Sequence, residues 1–221
     1  MKRRKRRNYL KRIIRAFLAL ILLVVINKVI VNLFPHTANL DNGWNLMLVN
    51  QSNVIPDNYE VKLKEIADGK LVDERIYEPL ISMTQEAEEE GYYMVVVEAF
   101  RTEEEQQAMM NEKVNAYMDE GYPKILAKEM AEKWVAVPGT SEHQLGIAVD
   151  INPDYDKSGR EVYDWLAENA HEYGFIRRYP EDKVKITGIM NEPWHYRYVL
   201  SLCFVIFMRL SARLLLFQST I

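Results

Sequence analysis

The sequence predicts an α+β fold. Helix-period and strand-like stretches are mixed without regular βαβ repetition, 48% of the 221 residues are hydrophobic, and 11% are aromatic. That composition can build a core and excludes a disordered chain, and the length suits one ordinary domain with additions.

The elements follow in order. Residues 76–91 carry an apolar 3.6-residue rhythm stopped at Gly91, which predicts a helix with a glycine stop. The run YYMVVVEAF at 92–100 predicts a buried strand. Thr102 with Glu105 three residues later is a capping box, opening a helix to about residue 121. A second helix is expected over 124–134, after which Pro138 and Gly139 break the chain. Residues 146–151 alternate toward a strand, 161–173 read as a helix stopped at Gly174, and 175–179 and 194–199 read as strands. Tyr163, Trp165 and Phe175 are expected in the core.

The net charge of −4 averages unlike pieces. Residues 1–34 hold ten Lys or Arg and no acid, whereas 35–198 hold 16 cations against all 32 acids. The acidic body argues against nucleic acid, which needs a basic face. The basic leader, with six consecutive cations from Lys2 to Arg7, precedes an apolar run over 16–34 interrupted by Lys28. About 20 apolar residues span a bilayer core, so 1–15 is expected to be a cytoplasmic segment and 16–34 a transmembrane signal-anchor, with the body exported. A cleaved signal would show a small-x-small site after a shorter apolar core. A buried soluble helix would leave nine flanking cations unexplained. Residues 35–60, with Pro35, Gly43, Pro56 and many Asn, read as a linker onto a domain at 61–199.

The single cysteine, Cys203, excludes an internal disulfide framework and any Cys-rich zinc module, so a metal must be held by His and carboxylate. Of four histidines, His36 lies in the linker and His171 inside the expected helix 161–173, where a surface or packing role is favoured. His143 stands in SEHQLGIAVD, seven residues before Asp150, and His195 stands in EPWHYR, three after Glu192. Two imidazoles and a carboxylate suit Zn²⁺ and leave a fourth position for water, and a nearby carboxylate can serve as general base. Glu192 is the candidate base. On spacing alone, a structural hydrogen-bond network remains the alternative.

SEHQLGIAVDI, GFIRRYP, ITGI and EPWHYRYV closely resemble the VanY-type D-alanyl-D-alanine carboxypeptidases, a zinc peptidase family that includes VanX-like dipeptidases and L,D-carboxypeptidases. The signature Ser-x-His, six residues, Asp, then Glu-x-Trp-His is matched at every position, as is an earlier Phe100-Arg101-Thr102 with Gln106. The resemblance covers about residues 70–199. It implies a central, mostly antiparallel sheet flanked by helices, with His143, Asp150 and His195 binding zinc and Glu192 moving the proton. It implies that Arg101 stabilises the developing oxyanion or the substrate carboxylate, and that Ser141 and Gln106 hold the terminal residue. Trp194 is expected to pack and fix its loop rather than touch substrate. The substrates implied are peptidoglycan precursor peptides ending in D-Ala-D-Ala, whose shortening contributes to glycopeptide resistance.

The tail, residues 200–221, departs from the family: it has no acid, and Arg209 and Arg213 interrupt its aliphatic run. A second span, an interfacial helix and a shifted reading frame are its three readings, the last preferred. It leaves open a non-catalytic wall-binding protein alongside the D,D-carboxypeptidase, L,D-carboxypeptidase and D,D-dipeptidase readings.

Overall fold

The computed structural model describes residues 13–15, 17–24, 26, 36–41 and 43–199. A pair of short parallel strands, β1 (His36–Thr37) and β2 (Asn53–Val54), comes first, then an antiparallel pair, β3 (Leu63–Glu65) and β4 (Leu71–Asp73). The chain continues through α1 (Glu74–Glu89), β5 (Met94–Glu98), α2 (Glu103–Asp119), α3 (Lys124–Ala131), β6 (Ala148–Pro153), α4 (Glu161–Asn169), β7 (Phe175–Arg177), α5 (Val184–Thr187) and β8 (His195–Tyr198). The main sheet runs β5-β6-β8-β7 with every neighbouring pair antiparallel, as the α+β expectation requires.

Local chemistry sets these elements. Asp73 accepts from the Arg75 N–H to cap α1, and Thr102 with Glu105 forms the expected reciprocal box at α2. On α1, Ile76, Leu80, Met83 and Ala87 fall at helical spacing and are buried. They meet Val149 and Ile151 of β6, Tyr196 and Tyr198 of β8, and Val162, Trp165 and Leu166 of α4 in one core cluster. Alternation along β6 then turns Asp150 and Asn152 to the opposite face. A separate small core, built on Met110, Ala131 and Val135, holds α2 to α3.

Three expectations are corrected. Strand β5 is not buried: it is the sheet's edge, and Val95 and Val97 are 39% and 41% exposed on its outer face. Tyr163 is half-buried outside the core, while Trp165 and Phe175 lie within it. Residues 36–60 do not merely link. Ala38, Met47 and Val49 join the main core, and Trp44 stacks on Tyr198 with ring centres 5.9 Å apart. The many asparagines, with Gly43 and Pro56, hid these apolar positions.

Among the described residues no helix is long and apolar enough to cross a membrane. Residues 17–24 are helical with exposed apolar side chains such as Phe17 and Leu23, but 16, 25 and 27–34 of the expected anchor lie outside the described residues. The tail at 200–221 also lies outside them.

Candidate metal centre

Two neighbouring strands and one turn converge on a single point. Asp150 and His195 are direct cross-strand partners in the β6–β8 register, so their side chains emerge side by side on the face away from the core. His143 comes from a 3₁₀ turn, Glu142–Leu145, which ends on Gly146 at φ 71°. Only glycine suits that position: a Cβ there would lie 3.1 Å from the Asp73 backbone nitrogen and 3.2 Å from Val61. The tight turn delivers the chain straight from His143 into β6.

Ligand atoms of His143, Asp150 and His195 lie within 4.8 Å of one another. Asp150 Oδ1 is 2.9 Å from His195 Nδ1 and 3.4 Å from His143 Nε2, and the two rings meet edge-on with centres 4.8 Å apart. Each ring's other nitrogen is held from outside. His143 Nδ1 lies 2.7 Å from the Ala99 carbonyl, and His195 Nε2 lies 3.3 Å from Glu142 Oε2. Both acceptors require an N–H on the outward nitrogen, so the inward one is the nitrogen that gives up its proton to offer a lone pair to a metal. The donor set is two imidazoles and one carboxylate with fixed tautomers, the set that holds Zn²⁺ with an open position.

Glu142 is the participant that sequence reading missed. Its side chain is fully buried, and Oε1 accepts from Arg178 Nε at 2.8 Å and Arg197 Nη1 at 2.6 Å. Arg197 in turn donates from Nη2 to the carbonyls of Met47 (2.6 Å) and Asn45 (3.1 Å), so the segment taken for a linker closes this network. Burial pushes the Glu142 carboxyl up, but Arg197, His195 and Arg178 outweigh it and hold the group well below the usual range. Asp150 is likewise depressed, its burial outweighed by the two histidines. Burial disfavours the charged form of His195, yet hydrogen bonds to Asp150 and Glu142 raise it to about 10, so the metal-free cluster carries a proton there. The signal was available as an acid beside the motif histidine, but only its burial sets Glu142 apart from exposed acids such as Glu103 and Glu104.

Glu192 sits in the loop before β8, its backbone N–H donating to the Tyr179 carbonyl at 3.0 Å. Its Oε2 is 3.9 Å from His195 Nδ1, near the cluster but outside its contacts. Burial pushes Glu192 up to about 7; Asp150 and Glu142 add to this against the pull of His195 and Arg101. Such a carboxyl exchanges protons near neutral pH.

Arg101 is buried beside the same cleft, donating from Nη1 to Gln106 at 2.7 Å and pairing through Nη2 with Glu98 at 2.9 Å. Its Nε has no hydrogen-bond partner among the described residues. Gln106, expected to contact substrate, has both ends of its amide occupied: Oε1 by Arg101, and Nε2 by the Ala136 carbonyl at 2.7 Å. It therefore fixes Arg101. Ser141 lines the cleft, and its side chain caps nothing. Trp194, expected only to pack, also lines the cleft, which encloses about 440 Å³.

Residues 69–201 match the family profile described as "VanY: D-alanyl-D-alanine carboxypeptidase". The D-alanyl-D-alanine carboxypeptidase of Enterococcus faecalis (strain ATCC 700802 / V583) is 54% identical over 160 residues, covering 72% of this chain and 60% of that protein. The chain spans about three-fifths of the length of that protein and of a second curated relative. Among solved structures, VanYB in complex with D-alanine-D-alanine is 54% identical with a TM-score of 0.70, covering 71% of this chain and 87% of that one. A variant of the vancomycin resistance D,D-pentapeptidase VanY from a VanB-type cassette, in complex with Zn(II), gives 54% and 0.69, covering 71% and 89%.

Proposed function

The chain belongs to the VanY family of D-alanyl-D-alanine carboxypeptidases, and we propose that it is a zinc-dependent D,D-carboxypeptidase. It removes the C-terminal D-Ala from peptidoglycan precursor peptides and so contributes to vancomycin-type resistance. The observation that carries this reading is the three-ligand cluster with an ionisable Glu192 beside it and Arg101 in the same cleft.

His143, Asp150 and His195 would hold the metal. A zinc ion bound there supplies Lewis acidity, lowering the pKa of coordinated water and polarising the scissile carbonyl. Glu192 takes the proton of the attacking water and passes it to the amine of the leaving D-Ala. Arg101, fixed by Glu98 and Gln106, presents positive charge to the oxyanion or to the terminal carboxylate without reorganising. Ser141 offers its hydroxyl to the terminal residue. The chemistry needs no nucleophilic side chain and no covalent intermediate.

Zinc-loaded protein should release free D-Ala from a pentapeptide ending in D-Ala-D-Ala, followed by mass spectrometry. Release should stop after chelator treatment and return with one equivalent of zinc. Cleavage confined to the L-Lys–D-Ala bond of a tetrapeptide would replace this reading by an L,D-carboxypeptidase, and binding without cleavage by a wall-binding protein.

The basic leader and the apolar run after it support an anchor over 16–34, the N terminus in the cytoplasm and the catalytic body outside. Cys203 is the sole cysteine, so Cys203→Ser gives a blank background for Asp156→Cys, an exposed position. A membrane-impermeant maleimide should label that cysteine on intact cells. Labelling only after permeabilisation would refute the topology, and labelled protein in the medium would show a cleaved leader.

A further inference from the structure

The cleft does not end at Asp150. Its floor continues over Val97 and Trp194 into a second hollow of about 390 Å³, and Val97, Asp150 and Trp194 line both. Strand geometry explains the continuity. Asp150 and Asn152 are two residues apart on one face of β6, which carries the floor roughly 7 Å along the strand. On β5, the register shift between Val96 and Glu98 leaves Val97 on the open side.

The far wall is built rather than incidental. Tyr163 donates its hydroxyl to Asn152 Oδ1 at 3.0 Å, and the Arg160 guanidinium lies 5.9 Å from the centre of the Tyr163 ring. Arg160 is the one cation lining the hollow among the described residues. It is exposed and forms no ion pair with any described residue, in a body where acids outnumber cations two to one. Arg101, Gln106 and Ser141 line the cleft but not the hollow. The two groups of residues thus flank the metal cluster from different sides.

We infer that this hollow is a binding site for the acyl side of the substrate peptide, with Arg160 pairing with a carboxylate carried there. The inference rests on the D,D-carboxypeptidase reading. With the terminal carboxylate near Arg101 and Ser141 and the scissile carbonyl at the cluster, the remainder of the peptide runs over Val97 and Trp194. Two apolar side chains support it, Asn152 and Tyr155 offer polar atoms to its backbone, and the unpaired guanidinium selects an anionic residue upstream. Arg160 is then a specificity determinant that acts on binding.

The test compares two pentapeptides ending in D-Ala-D-Ala that differ only at the second residue, one with a free carboxylate and one with its amide. An N-acylated tripeptide with the same ending and no upstream carboxylate serves as reference. Zinc-loaded wild type should favour the carboxylate peptide about fivefold in kcat/KM, through KM, as an accessible ion pair allows. In Arg160→Gln the ratio should fall to about one, and Arg160→Lys should keep part of it. An equal preference in wild type and Arg160→Gln, or no preference in wild type, overturns the inference while tripeptide cleavage leaves the enzymatic reading standing. Failure of the wild type on all three peptides overturns both.

Discussion

Glu192→Gln is expected to lower kcat/KM for D-Ala release about 10³-fold, within the range general acid–base groups contribute, while zinc content stays at one per chain. The isosteric amide keeps the loop, because the contacts that place it are made by the backbone: Glu192 N–H to the Tyr179 carbonyl at 3.0 Å and His195 N–H to the Glu192 carbonyl at 3.4 Å. What is lost is the ability to accept a proton. The pH profile gives an independent reading. Burial sets the Glu192 carboxyl at about 7 in the metal-free protein. A bound cation beside it favours the charged form, so the acid limb of wild-type kcat/KM should fall at or below pH 7. The base is active when ionised, so activity falls as pH drops through that value. The residual activity of Glu192→Gln should lack that limb. Wild-type rates in the variant would remove Glu192 from the reaction, and loss of zinc together with activity would make it a ligand instead of a base.

How much of this was legible depends on how local each signal is. Helix α2 could be read because its capping box lies within four residues, and α1 because Ile76, Leu80, Met83 and Ala87 keep helical spacing. The three ligand candidates were legible as motif residues, and period-2 alternation then places Asp150 and His195 on one face of the sheet. What could not be read depends on distant partners. Whether Val97 is buried depends on β5 being an edge strand, a property of sheet order that the run YYMVVVEAF does not encode. Residues 43–49 look like a linker because the partner of their carbonyls, Arg197, is 150 residues away. The resemblance implies a substrate contact for Gln106, and only the fold shows that its amide also holds Arg101 and the Ala136 carbonyl.

Glu142→Gln should produce the largest change outside the reacting groups, weakening zinc binding about 10- to 100-fold, the usual loss when the outer partner of a metal-bound histidine is removed. It should also destabilise the fold by about 3–5 kcal/mol, because the Arg178 and Arg197 guanidinium groups lose the buried anion between them. The acid dependence of stability carries the sign. Glu142 is held below its unfolded value of about 4.3, so its contribution is full above that pH and is lost as pH falls from there toward the depressed native value. The variant should therefore lose part of the drop in stability that the wild type shows below about pH 5; Asp150, also depressed, keeps the remainder. Urea titrations at several pH values and competition with a chromophoric chelator measure the two effects separately. Reduced stability with unchanged zinc affinity would make Glu142 an anchor for two arginines and nothing more. A joint loss makes the tautomer of His195 depend on a network that begins at the carbonyls of Asn45 and Met47, and the segment next to the leader becomes part of the metal site.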